Sequence, residues 1–138
     1  MQLNLTTDYA LRSLLTLGGG GEISSQEISQ AIGIERDFTL KVLRQLREGG
    51  FVEATKGKKG GYYLTRPLSE ISLLDVLVAM EDTMRVNRCL EDDHFCSRHG
   101  VENGCPANRF YRALQSKLEG MLGSITLQDV LEESYDLS

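Results

Sequence analysis

A mainly α-helical fold with one small β-hairpin is predicted by three features of this 138-residue chain. Apolar residues recur at intervals of three and four over most of its length, a spacing typical of amphipathic helices. Only FVEAT and YYLTR are rich in β-branched and aromatic residues, and they flank the turn-like stretch KGKKGG. Two such pieces around glycines and lysines predict a hairpin.

Three helices are expected before the hairpin. The first is TTDYALRSLLTLG, which starts behind threonines and ends at the glycines of positions 18–21. Its helically spaced apolar residues are Ala10, Leu11, Leu14 and Leu15. The second is SSQEISQAIG, with Ser24 as a candidate cap and Glu27 three residues later. Its expected apolar face consists of Ile28, Ala31 and Ile32.

The third helix, ERDFTLKVLRQLREGG, has an apolar face and a charged face. The apolar residues are Phe38, Val42, Leu43 and Leu46. The charged residues are Arg36, Asp37, Lys41, Arg44 and Arg47. Three short helices followed by a basic hairpin predict a winged helix-turn-helix domain in residues 1–68, whose third helix enters the major groove of DNA.

The charge distribution supports a nucleic-acid partner for this segment. The net charge is −5, yet residues 36–66 contain eight basic and three acidic side chains. A basic patch on an acidic chain is typical of a surface that contacts a phosphate backbone. The alternative is an unevenly charged, solvated surface.

The second half of the chain is expected to contain a connecting helix and a longer helix. EISLLDVLVAME, with Ser72 as a possible cap, lies in the connecting segment 69–88, and CPANRFYRALQSKLEGMLGS follows with Pro106 in its first turn. The apolar face of the longer helix consists of Phe110, Leu114, Leu118, Met121 and Leu122. We assign residues 106–138 to a dimerisation helix and C-terminal segment, because a symmetric dimer reads two half-sites. Packing on its own domain is the alternative.

Residues 89–105 contain every cysteine and both histidines of the chain. The cysteines are Cys89, Cys96 and Cys105, an odd number that argues against a disulfide framework. Their spacing is too wide for a zinc knuckle, but a flexible loop can wrap three thiolates around an iron–sulfur cluster. His94 and His99 are further candidate ligands or ordinary loop histidines.

Several classes of function are not expected. No nucleophile–base set and no phosphate-binding loop stands out, so we do not expect an enzyme. No apolar run approaches the length of a membrane span, and no signal peptide is apparent. We therefore expect a cytoplasmic protein without a membrane partner.

Three stretches carry a family resemblance: TTDYALRSL, LRQLREGGFVEATKGKKGGYYLTRP and ISLLDVLVAMED. Together with the cysteine loop and the long helix that follow, they resemble the Rrf-type bacterial regulators. That family contains the IscR and NsrR iron–sulfur repressors. The resemblance implies a homodimeric repressor that binds a palindromic operator and responds to nitric oxide, redox state or iron–sulfur status. It also implies that Cys89, Cys96 and Cys105 hold a 2Fe–2S or 4Fe–4S cluster.

The resemblance implies recognition residues at the start of the third helix and in the wing. They are Glu35, Arg36, Asp37, Lys41 and Lys56. On charge alone we add Arg44, Lys58 and Lys59 as phosphate contacts.

The fourth cluster ligand is open. IscR-like regulators have a histidine three residues after the last cysteine, where this chain has Asn108. NsrR-like regulators can use an aspartate from the first helix of the other subunit, which corresponds to Asp8 in TDYALR. Asp8 can equally have a structural role, in which it interacts favourably with the helix dipole and pairs with Arg12 four residues later. If Asp8 is a cluster ligand, Arg12 becomes a residue that couples the cluster to the first helix. A cluster-free regulator that senses through cysteine oxidation or zinc is the alternative function.

Overall fold

The computed structural model describes residues 2–98 and 104–138. Its α-helices are α1 (Leu5–Leu17), α2 (Ser25–Ile32), α3 (Arg36–Glu48), α4 (Leu73–Met80), α5 (Pro106–Ser124) and α6 (Leu127–Glu132). The strands are β1 (Val52–Ala54) and β2 (Tyr62–Leu64), and single 3-10 turns cover Leu68–Glu70 and Arg88–Leu90. The predicted fold, mainly helical with a two-stranded hairpin, is confirmed.

Helices α1, α2 and α3 pack on one another around a shared apolar core. The core residues that they contribute are Ala10, Leu14, Leu17, Ile28, Ile32, Val42, Leu43 and Leu46. Two local expectations were wrong. Asn4, not a threonine, caps α1, because its side chain accepts a hydrogen bond from the Thr6 N–H at 2.7 Å. In α2, Ala31 is exposed and Ser29 is buried in its place. The burial of Ser29 is tolerated because its hydroxyl donates to the Ile34 carbonyl.

The hairpin forms the predicted wing. β1 and β2 pair antiparallel, with Val52 opposite Leu64, and the Ile23 backbone pairs with Tyr62 beside them. A Cβ at Gly61 would lie 2.8 Å from the Ile23 carbonyl oxygen, so only glycine fits this close approach. The wing is therefore tied at its base to the segment that leads into α2.

The C-terminal end of the chain returns to the core of the first three helices. The Leu127 N–H donates to the Ile71 carbonyl at 2.8 Å, and the Leu73 N–H donates to the Ile125 carbonyl at 2.9 Å. Leu127 is fully buried in the same apolar cluster as Leu14. The core is thus continuous across the expected boundary at residue 68.

Helix α5 exposes the first two residues of its predicted apolar face, leaves Leu118, Met121 and Leu122 half-buried, and buries two polar side chains. Phe110 is 61% exposed and Leu114 is 37% exposed, while Asn108 and Gln115 are buried. Gln115 holds the preceding segment, because its amide donates to the Met84 carbonyl and accepts from the Val86 N–H. No helix in the described ranges is long and apolar enough to cross a membrane.

Candidate functional site

The outer face of α3 presents the predicted recognition residues to solvent. Burial of Val42, Leu43 and Leu46 on the inner face fixes the rotation of the helix. Glu35 occupies the N-cap position, where its side chain makes no capping hydrogen bond. The exposed residues of this helix end are Glu35, Arg36, Asp37, Lys41 and Arg44. A helix whose N-terminal end carries exposed polar side chains is suited to the major groove.

A groove of about 320 Å³ lies between the wing and the start of α2, and Arg36 of α3 reaches into its lining. Arg36 lines one side, where its Nε lies 3.4 Å from Ser25 Oγ at the start of α2. Lys58 lines the other side, and the neighbouring Lys56 and Lys59 are exposed at the wing tip. Basic side chains thus flank the gap between the helix and the wing.

An ion pair fixes the wing to α3. Arg47 Nε lies 2.7 Å from a Glu53 carboxylate oxygen on β1. The pKa of Glu53 is lowered, first by the Ala54 backbone N–H and then by Arg47. Arg47 is therefore paired within the chain, although the sequence places it on the charged face of α3 with the predicted DNA contacts.

All three cysteines line one cavity of about 230 Å³ at the start of α5. Cys89 belongs to the short 3-10 turn, Cys96 to the following loop and Cys105 to the N-cap of α5. Each is half-buried and forms no disulfide. A water molecule occupies about 30 Å³, so the cavity has room for a multi-atom group.

The Cys89 sulfur accepts two side-chain hydrogen bonds. The Asn87 and Asn108 amides donate to it, each with a nitrogen–sulfur distance of 3.3 Å. These bonds lower the pKa of the Cys89 thiol, the Asn87 bond most, and the positive charge of Arg112 adds a smaller effect. Both bonds favour the thiolate, which is the form that binds metal.

Cys105 occupies the position that usually caps a helix. Its sulfur accepts from the Asn108 backbone N–H at 3.4 Å. Two of the three sulfurs are therefore supplied with N–H donors.

The loop between the first two cysteines is held by its own side chains. Arg88 forms a two-pronged ion pair with Asp93 and lies over the Phe95 ring at 5.5 Å. The Arg88 hydrogen bond is the main cause of the lowered pKa of Asp93. Glu91 accepts a hydrogen bond from the Thr83 hydroxyl. These carboxylates thus stabilise the loop between Cys89 and Cys96.

One of the two candidate histidines, His94, is among the described residues. His94 is exposed in a turn with φ of 49°, its N–H donates to the Glu91 carbonyl, and it does not line the cavity. His99 lies outside the described residues. Among the described residues, no group of three or more His, Cys, Asp or Glu side chains is close enough to hold a metal ion.

Asp8 and Arg12 form the expected i+4 ion pair on α1. Arg12 Nη2 lies 3.0 Å from an Asp8 carboxylate oxygen. The Asp8 side chain is 40% exposed and does not line the cysteine cavity of its own chain. It is therefore accessible to a second molecule.

Comparison with known proteins identifies the family. A family described as "Rrf2: Iron-dependent Transcriptional regulator" matches residues 3–133. The chain belongs to the Rrf2 family. It is a transcriptional regulator and not an enzyme, and regulators of this family bind DNA and are typically dimeric.

Individual Rrf2 relatives match over nearly the whole chain. Protein aau3 of Rhizobium meliloti (strain 1021) is 33% identical over 135 residues, which cover 96% of this chain and 86% of that protein. The IscR structure from T. potens superposes with a TM-score of 0.71 at 21% identity, covering 98% of this chain and 89% of that one. The structure of CymR, the global cysteine regulator of B. subtilis, gives 0.76 at 23% identity and covers 99% of both chains.

Two residues at the cysteine site of this Rrf2 protein were not predicted from the sequence. Asn87 and Asn108 donate to Cys89, but an asparagine in a polar loop or a helical first turn carries no distinctive pattern. The one indication in the sequence was that Asn108 replaces a histidine of IscR-like regulators. Its buried position, 3% exposed, is a consequence of tertiary packing.

Proposed function

We propose that this Rrf2 regulator is a homodimeric repressor that senses nitric oxide, redox state or iron–sulfur status through a cluster held by Cys89, Cys96 and Cys105. The observation that supports this most directly is that the three cysteines line one cavity. When bound, a 2Fe–2S or 4Fe–4S cluster supplies a group that oxidants and nitric oxide modify. Its protein ligands would be the three thiolates and a fourth group.

We assign the fourth position to Asp8 of the second subunit, with His94 and His99 as alternatives. The exposed carboxylate of Asp8 is available for an intermolecular contact. Ligation would withdraw Asp8 from Arg12, and α1 packs directly on α2 and α3. Binding or loss of the cluster would thus bias the position of the recognition helices, because different contacts form in the two states.

The DNA-binding half of the proposal rests on the exposed basic face. The start of α3, with Glu35, Arg36, Asp37 and Lys41, would read base edges, and Arg44 would contact phosphate. Lys56 would add a recognition contact from the wing, and Lys58 and Lys59 would contact the adjacent phosphate backbone. A symmetric dimer would read a palindromic operator in two half-sites.

Anaerobic purification tests the cluster. We expect a coloured protein with iron and sulfide in comparable amounts, and a gel shift with upstream DNA that changes on addition of nitric oxide. A colourless, iron-free protein would overturn the cluster proposal. Asp8→Ala should alter the absorption spectrum, whereas Asp37→Ala, which removes a first-turn carboxylate from α3, should not. An unchanged Asp8→Ala spectrum would exclude Asp8 as a ligand.

Cluster-free sensing through cysteine oxidation is the second candidate, and the lowered pKa of Cys89 favours it. A thiolate is the nucleophile in thiol oxidation. Under this alternative, aerobic peroxide treatment of the iron-free protein changes operator binding and Cys89→Ser abolishes the response. Zinc held by the same three thiols is the other form of this alternative, and metal analysis of the purified protein separates it from thiol oxidation.

A further inference from the structure

Three N–H groups converge on two of the cysteine sulfurs. Asn87 and Asn108 donate from their side chains to Cys89 Sγ, and the Asn108 backbone donates to Cys105 Sγ. Asn108 takes part in two of these three bonds. It therefore links the first and the last cysteine of the loop.

The local structure dictates where Asn108 lies. Pro106 starts α5 and Cys105 is its N-cap, so Asn108 occupies the first turn, where backbone N–H groups have no partner within the helix. The side chain faces inward and is only 3% exposed. A buried amide must be hydrogen-bonded to avoid a desolvation penalty, and its nitrogen finds Cys89 Sγ.

The chemistry of an amide distinguishes Asn108 from the histidine that IscR-like regulators have at this position. Imidazole nitrogen readily binds iron, whereas the amide NH₂ is a donor that binds no metal. In this chain the NH₂ group is directed at a thiolate sulfur. Hydrogen bonds to the sulfurs are among the factors that set the reduction potential of an iron–sulfur cluster.

We propose that Asn108, assisted by Asn87, is a positioning residue that sets the reduction potential and the retention of the cluster by donating to Cys89 Sγ, and that it is not the fourth ligand. This inference rests on the proposed function. The N–H donors stabilise negative charge on the sulfur, and this charge is greater in the reduced cluster. The donors thus raise the potential and oppose loss of the Cys89–iron bond.

The test compares anaerobically reconstituted wild-type protein with Asn108→Leu, Asn108→Ala and Asn87→Ala. Leucine has nearly the shape of asparagine without its donors, so Asn108→Leu separates the hydrogen bond from a packing defect. Gln128→Leu is the control, because it removes an amide that donates to Glu132 on α6 and does not line the cysteine cavity. The readouts are the midpoint potential in a redox titration and the rate of iron release to a chelator.

We expect the Asn108 variants to have a lower midpoint potential and to release iron about tenfold faster or more, with a smaller effect of Asn87→Ala. Gln128→Leu should keep the wild-type potential. Wild-type potentials and release rates in both Asn108 variants, measured on fully loaded protein, would overturn the inference and leave the proposed function intact. A wild-type protein that takes up no cluster would overturn both, and iron analysis identifies that case.

Discussion

The amides of Asn87 and Asn108 come from different elements and meet at the sulfur of Cys89. Their hydrogen bonds make this cysteine chemically distinct within the loop, since they lower the pKa of its thiol. A thiolate formed at lower pH is both a better ligand and a better nucleophile near neutrality. Residue chemistry at this site thus depends on one neighbour that is close in sequence, Asn87, and on one that is distant, Asn108.

Alkylation of the metal-free protein should reveal this effect. A lowered pKa keeps Cys89 in the reactive thiolate form at lower pH, so its reaction with iodoacetamide should persist below the pH range of an ordinary thiol. Asn108→Leu removes one donor and should move the midpoint of the pH–rate profile upward. Mass spectrometry of the peptide that contains Cys89 measures the rate. Superimposable profiles for the two proteins would contradict the assigned hydrogen bond.

At the scale of elements, the wing and α3 act as one unit. The Arg47–Glu53 ion pair and the Ile23–Tyr62 backbone pairing fix the hairpin, while the lysines at its tip remain exposed. A hairpin that is already held in place, with exposed lysines at its tip, is suited to phosphate contacts, because its backbone needs little further ordering when DNA binds. The contribution of such contacts depends strongly on salt.

Lys58→Ala tests the wing. Without this cation, each subunit should neutralise one phosphate fewer, which should weaken binding to all DNA sequences. The slope of log K against log salt should become shallower by about one for each phosphate that is no longer neutralised. Fluorescence anisotropy at several salt concentrations measures the slope. Lys117→Ala, which removes a cation from α5, should leave it unchanged. An unchanged slope in Lys58→Ala would exclude this lysine from the interface.

Helix α6 should behave as part of the N-terminal core. Leu127 is fully buried in the apolar core that the first three helices share, whereas Leu131 on the same helix is 47% exposed. Leu127→Ala should lower the free energy of unfolding by about 2–5 kcal/mol, and Leu131→Ala should lower it by much less. Urea denaturation followed by circular dichroism measures both. Equal, small effects would show that α6 does not belong to this core.

At the scale of the whole molecule, we propose that α5 links the cysteine site to the partner subunit. Its N-terminus carries Cys105, and the exposed Phe110 and Leu114 follow within about three turns. An exposed apolar stripe of this kind is typical of an interface, and regulators of the Rrf2 family are typically dimeric. A change at the cysteines can therefore reach the dimer interface through one helix.

Phe110→Ser should weaken dimerisation by about tenfold or more, because a large aromatic side chain would lose its buried position in the interface. Since Phe110 is 61% exposed in the single chain, the variant should fold normally. Val78→Ser is the control, because Val78 on α4 is also 61% exposed. Sedimentation equilibrium gives the dimer dissociation constant. A wild-type constant for Phe110→Ser would place the interface elsewhere.

Much of the fold follows from local patterns in the sequence. The apolar spacing of Val42, Leu43 and Leu46 predicts both α3 and its exposed basic face, and Pro106 predicts the start of α5. These features depend on interactions between residues that are close in the chain. The gathering of Cys89, Cys96 and Cys105 at one site is likewise predicted by their confinement to one short loop.

Other features depend on contacts that only the tertiary structure brings together. The return of Leu127 to the core, the burial of Gln115 and the pairing of Arg47 with Glu53 join segments that no local pattern relates. The same holds for Asn108, whose role comes from its position beside Cys89. The sequence by itself thus determined the helices, the wing and the set of thiols. The tertiary structure decided which donors reach those thiols, because a hydrogen bond requires a distance that packing alone sets.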